Sequence, residues 1–100
     1  MRTAVKLVAS LLLAGTCFAQ APRPAKGYVP DDKTAIKIAE AMLSPIYGEK
    51  QIEGERPFHA ILNENIWTIS GSLPEGYVGG VAVIRVDKRT GKILSYIHGK

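Results

Sequence analysis

The residues of this 100-residue chain best suited to hold a metal or move a proton are two histidines, His59 and His98. A metal site needs several nitrogen, sulfur or oxygen ligands converging on one point. The two histidines are far apart in sequence, and the single cysteine, Cys17, lies in an N-terminal segment of a different character. No ligand set assembles from them, so neither a metal nor a cofactor is expected. His59 alternates with apolar neighbours in a strand-like run, which predicts a surface or half-buried position. His98, close to the last residue, is expected to be solvated. Serine catalysis would need a nucleophile turn beside a base, yet Ser70 and Ser72 lie in a strand-like segment without one. Carboxylates for a glycosidase-like pair could come from Glu40, Glu53, Glu55 and Glu64, but their spacing selects no two of them. No catalytic residue is assigned, and the chain reads as a non-enzyme.

Binding is better served. The segment Gly71-Ser72-Leu73-Pro74-Glu75-Gly76-Tyr77-Val78-Gly79-Gly80 lacks the lysine and the following helix of a phosphate loop. Its glycines suit a tight connection, and Leu73, Pro74, Tyr77 and Val78 give it an apolar tip. It reads either as a structural loop or as a recognition loop carried on a rigid sheet. Tyr47 and Tyr77 fall in loop-like settings and are candidates for partner contact, together with Leu73, Pro74 and Val78. Trp67, beside Ile69, is expected to anchor packing, and Gly79, Gly80 and Gly91 to serve turns.

These residues need elements to position them. Pro30-Asp31-Asp32 opens a helix, because either aspartate can cap the free amides of the first turn. Ile36, Ala39, Leu43 and Ile46 recur at three- and four-residue spacing, flanked by Ala35, Ile38 and Met42, with Lys33, Lys37 and Glu40 on the other side. Pro45 should bend or end this helix, and Gly48 is its expected stop. After the polar stretch from Glu49 to Arg56 come four strand-like runs: Pro57 to Asn63, Asn65 to Ser72, Gly80 to Asp87 and Lys92 to His98. The order predicts an α+β domain, with one N-terminal helix on a curved four-stranded antiparallel meander.

Loop parity assigns the faces. An even turn near Asn63, Glu64 and Asn65 puts Phe58, Ala60 and Leu62 with Trp67 and Ile69, and His59 and Ile61 with Ile66 and Thr68. A four-residue loop Lys88-Arg89-Thr90-Gly91 puts Ala82, Ile84 and Val86 with Ile93 and Ile97, and Val81 and Val83 with Leu94 and Tyr96. One helix covers only one face. The other, carrying Ile61 and Ile66, then calls for a partner, a second copy or a folded-back terminus.

The N-terminus reads as an address. Arg2 and Lys6 precede the apolar run from Leu7 to Gly15 and the small-residue segment Thr16-Cys17-Phe18-Ala19, the three parts of a cleavable secretory signal. The apolar run falls short of the roughly 20 residues of a spanning helix. Cleavage after Ala19 is expected, giving a periplasmic or secreted chain of 81 residues with no cysteine. Lipid attachment at Cys17 is the alternative, disfavoured by Thr16 before it. Residues 20–30 are proline-rich and read as a linker, and residues 31–100 as a single domain, with folding beginning near Tyr28. The net charge of +4 includes Arg2, Lys6, Arg23 and Lys26, so from Gly27 onward nine basic residues balance nine acidic ones. A nucleic-acid partner is not expected of such a balance.

Taken in order, Tyr28-Val29-Pro30-Asp31, Thr34 to Ala41, Pro45-Ile46-Tyr47-Gly48, Arg56-Pro57-Phe58, Ile66 to Pro74, Gly79-Gly80-Val81 and Gly91 to Leu94 resemble the bacterial immunity proteins assigned to the nuclear transport factor 2 fold. The resemblance covers nearly all of residues 28–100. It implies a truncated core of that fold, or a cystatin-like one, and a protein that binds and neutralises a toxin without catalysis. The closing run from Ile84 to Leu94 also resembles a PepSY domain, which would imply an inhibitor or modulator of an exported peptidase. A small hydrolase or ligand-pocket protein is the alternative of another class.

Overall fold

The computed structural model describes residues 21–99, so the expected signal at 1–19, Cys17 included, lies outside the described residues. The first helix, α1 (Asp32–Tyr47), starts because the Asp31 side chain accepts the Thr34 amide at 2.8 Å and takes up an orphan donor of the first turn. Pro45 sits in its last turn, and the helix stops two residues later. There Gly48, at φ 102°, returns its amide to the Ser44 carbonyl. The buried stripe is Ala35, Ala39 and Leu43, with Ile36, Ile38 and Met42 packed beside it. Ile46, expected within the stripe, is exposed instead.

The polar stretch after Gly48 holds an element that its composition conceals. Glu49–Glu53 forms a short helix, α2, whose single aliphatic residue, Ile52, is fully buried. One apolar residue in a five-residue helix leaves no periodicity to read.

Four strands follow: β1 (His59–Asn63), β2 (Ile66–Ser70), β3 (Ala82–Asp87) and β4 (Ile93–His98), in the sheet order β1-β2-β3-β4 with every pair antiparallel. The expected α+β class and meander are what the chain adopts. Glu64 and Asn65 form a two-residue turn with φ of 51° and 65°, the backbone twist that closes a tight hairpin. Leu62 then faces Trp67 and Ala60 faces Ile69, as the even loop predicts.

The second hairpin departs from its expected parity. The four-residue loop forms: the Asp87 carboxylate accepts the amides of Arg89 and Thr90, and the Gly91 amide donates to the Asp87 carbonyl. Val86 duly faces Ile93. A β-bulge then intervenes, with Leu94 as the extra residue, so that Ser95 faces Arg85, Tyr96 faces Ile84, Ile97 faces Val83 and His98 faces Ala82. Ile97 therefore does not join Ala82 and Ile84, and Tyr96 does not join Val83. Ile97 stands on the outer face, 62% exposed, and His98 is turned to the core side.

The core is Ala35, Ala39 and Leu43 of α1 and Ile52 of α2 packed on Phe58, Trp67, Ile69, Ala82, Ile84 and Val86, closed at one end by Val29. The end of the proline-rich stretch is thus part of the fold. The Tyr28 and Val29 amides donate to the Arg89 and Lys88 carbonyls, and Lys88 Nζ donates to the Lys26 carbonyl. The Trp67 indole N–H donates to the buried Val29 carbonyl at 2.8 Å. Replacing Trp67 by Phe keeps an aromatic ring but leaves that carbonyl unpaired. A loss of about 1–3 kcal/mol is predicted, read as a lowered urea midpoint at an unchanged slope.

Candidate functional site

Glu55 is the buried charged residue of the described chain, only 4% exposed, just beyond the end of α2. A carboxylate is buried at tolerable cost only when its oxygens are met by donors. Here they are. Oε1 accepts the backbone amide of Ala82, the first residue of β3, at 2.7 Å. Oε2 accepts from the Gln51 side-chain amide at 2.8 Å and from His98 Nε2 at 2.7 Å. The Glu55 backbone is held as well, its amide donating to the Ile52 carbonyl and its carbonyl accepting the Ser72 amide at 2.7 Å. Ser72 Oγ donates to the Pro57 carbonyl at 2.6 Å. One residue thereby fastens α2, the end of β2, the start of β3 and the end of β4.

His98 was expected in solvent and is instead half-buried against Glu55, because the Leu94 bulge reverses its side of β4. Its second ring nitrogen, Nδ1, lies 2.8 Å from the Gly99 carbonyl. Both nitrogens face acceptors, an arrangement that favours the doubly protonated ring. The Glu55 carboxylate first, and the Gly99 carbonyl second, hold His98 above the ordinary histidine range. Burial alone pushes the Glu55 carboxyl up, but the Ala82 amide, Gln51 and His98 together outweigh it and hold it below the ordinary range. The Tyr47 ring packs tilted on the imidazole at a centroid distance of 5.1 Å.

Over this pair lies the loop from Gly71 to Val81. With α2 it encloses an open cleft of about 430 Å³ that has Glu55 and His98 at its floor and Leu73, Pro74, Tyr77 and Val78 along its wall. Those four loop residues, singled out for their apolar tip, come together on one cleft, and Tyr47 reaches its floor through His98. Tyr77 is 70% and Val78 93% exposed. Gly79 borders the same cleft, Gly80 packs its backbone on that of Gly99 where no side chain fits, and Gly91 closes the β3–β4 turn at φ 79°. Trp67 belongs to the core. His59 is exposed on edge strand β1, Glu64 lies exposed in the β1–β2 turn, and Glu40 pairs at the surface with Arg56 at 2.8 Å.

Chemically, this is a brace. Both Glu55 oxygens are occupied by groups of the fold, so abstracting a substrate proton would first break the contacts that position the residue. The cleft above is solvent-open and walled by apolar side chains, which suits the reception of a partner's side chain. Sequence reading placed Glu55 only among four interchangeable carboxylates. What singles it out is Gly71: a Cβ there would lie 2.5 Å from Glu55 Oε1 and 2.9 Å from Glu55 Cβ, a complementarity visible only in space.

Comparison with known proteins adds the following. Residues 34–100 match the family described as NTF2 fold immunity protein. The matched span includes the last hairpin, which is thereby accounted for by that family and not by the PepSY resemblance. The chain is similar to the uncharacterized protein YbbC of Escherichia coli (strain K12), 33% identical over 76 residues that make up 75% of this chain and 62% of that protein. It is also similar to the uncharacterized protein YhhH of the same organism, 29% identical over 76 residues, covering 75% of this chain and 60% of that protein. The chain spans about three fifths of the length of these relatives. No solved structure matches it.

Two outcomes test the brace. Glu55, lowered in the fold, contributes stability above its unfolded value that is lost as pH falls through the lowered value. His98, raised in the fold, contributes fully below its unfolded value of about 6.5 and loses that contribution as pH rises through the raised value. The stability gap between the wild type and His98→Ala should therefore be widest from about pH 4.5 to 6.5 and shrink on the alkaline side, as urea titrations at several pH values will show. Gly71→Ala should cost about 1–3 kcal/mol by forcing Glu55 aside, measured in the same way.

Proposed function

The chain belongs to the NTF2 fold immunity protein family, and we propose that it is an exported protein that neutralises a bacterial toxin by binding it directly, without catalysis of its own. The family match over residues 34–100 carries this reading. The surface supports it. A loop whose apolar tip stands in solvent, above a floor pinned by Glu55 and His98, is organised to present Tyr77 and Val78 at little further ordering cost on binding. The neutral charge balance from Gly27 onward favours a protein partner over a nucleic acid. Export rests on the signal-like residues 1–19, which would bring the domain to the compartment where an incoming toxin is met.

The proposal makes two measurable demands. Cells producing the toxin encoded beside this gene should survive when they also make this protein. Tyr77→Ala combined with Val78→Asp should abolish protection while leaving the thermal midpoint within a few degrees of the wild type. Absence of any protective effect would remove the proposed role. The mass of the exported chain should correspond to an amino terminus at Gln20, whereas a lipidated Cys17 terminus would contradict simple release.

A further inference from the structure

The sheet has two edges, and only one of them is guarded. β4 is interrupted by the Leu94 bulge, one of the devices that keep an exposed strand from pairing with another chain. β1 (His59–Asn63) has no such device: its five residues include no lysine, arginine, aspartate, glutamate or proline, and its pairing with β2 runs without a bulge. Its backbone is unpaired on the outer side. The two-residue turn makes Asn63 and Ile66 a hydrogen-bonded pair, so Asn63, Ile61 and His59 turn their amides and carbonyls toward β2. The other side of β2 agrees with that phase: the Gly71 amide donates to the Ala82 carbonyl and the Asn65 carbonyl accepts the Lys88 amide, so the odd-numbered residues there serve β3. Ala60 and Leu62 therefore point their amides and carbonyls away from the sheet, and among the described residues no strand, loop or turn meets them. The side chains are uncovered too, with Ile61 69% and Leu62 41% exposed.

What such an edge receives is a strand, because extended backbone is what matches amides and carbonyls spaced two residues apart. A second copy supplies that strand with no further feature. Ala60 and Leu62 flank Ile61 symmetrically, so a two-fold axis through Ile61 sets the amide and carbonyl of Ala60 against the carbonyl and amide of Leu62 in the other copy, and the reverse. The same axis brings Ile61 onto Ile61 on the face that α1 leaves open, and sets His59 opposite Asn63. No pair of like charges, the usual obstacle to self-pairing, stands across the joint. We propose that β1 pairs antiparallel with β1 of a second copy about this axis, joining the two four-stranded sheets into one. The joint is short. Two strands of five residues bury less than the roughly 1,200 Å² of a standard interface, so the dimer is weak, with a Kd on the order of 10–100 μM. His98 and Gly99, which border the cleft, lie toward the opposite edge of the sheet, so the pairing leaves the cleft accessible and does not depend on the toxin-binding role.

Sedimentation equilibrium and residue-resolved amide exchange, on the protein as the producing cell processes it, test the pairing. The wild type should dimerise reversibly as its concentration rises, and exchange at the Ala60 and Leu62 amides should slow several-fold with it. Ile61 and Asn63, bonded within each copy, should be protected at every concentration. Leu62→Pro removes an outward amide and no bond of the ladder, a change an edge strand tolerates, and should leave a monomer. Ile61→Lys, which sets two ammonium groups together at the axis, should do the same, whereas Ile97→Lys on the distant strand β4 should dimerise like the wild type. A wild type that stays monomeric to about 1 mM, well above the expected Kd, overturns the proposal. So does a dimer in which Ala60 and Leu62 exchange at an unchanged rate, or one that Ile97→Lys breaks, since either places the contact on another surface. Slowing at those two amides only when the toxin domain encoded beside the gene is added gives the edge to that partner and overturns the pairing of two copies.

Discussion

The structure depends on one buried carboxylate. Glu55 supplies to the Ala82 amide the acceptor that a continuing strand would otherwise provide, and it does so at the place where β2 and β3 part to release the long loop. A sheet that opens to emit an eleven-residue excursion leaves unpaired backbone groups at its mouth, and unpaired buried amides are costly. Here the mouth is closed by side chain and backbone together: Oε1 on Ala82, the Glu55 carbonyl on the Ser72 amide, and Ser72 Oγ on the Pro57 carbonyl. Oε2 adds the His98 Nε2 contact, which favours the protonated ring and, with it, offsets the charge that burial would penalise. The loop is therefore anchored at its base while its apolar tip remains in solvent. That division suits a member of an immunity protein family.

The bulge at Leu94 is the second constraint, and it acts on both faces at once. By inserting one residue it brings His98 to the core side, where it meets Glu55, and sends Ile97 to the open face. The same irregularity thus completes the brace under the loop and enlarges the aliphatic surface on the opposite side. The brace and the open face are linked through the backbone of β4.

Much of this was legible in the residues. Asp31 as a cap, Gly48 as a stop, the alternation along β1 and β2 and the two-residue turn at Glu64 and Asn65 are local signals, and each local preference agrees with the fold around it. The family resemblance was legible because it lies in the order of many weak pieces along residues 28–100. Three features were not. α2 carries one apolar residue, Ile52, too few to show a period. The bulge has no glycine or proline to announce it, so parity counted from the loop is correct at Ile93 and wrong from Ser95 onward. Glu55 is marked by what surrounds it, namely the bare Cα of Gly71, the Ala82 amide and His98, which come from three distant stretches of chain. A sequence read one segment at a time does not bring those together.

The central claim is that Glu55 closes the mouth of the loop by bonding the Ala82 amide. Amide hydrogen exchange followed residue by residue, comparing the wild type with Glu55→Ala, addresses it directly. Protection should fall most at Ala82 and Ser72 and at the residues of the loop between them, while the β1–β2 hairpin from Ala60 to Ile69 keeps its protection. Unchanged protection at Ala82, or an equal loss across all four strands, would contradict the account.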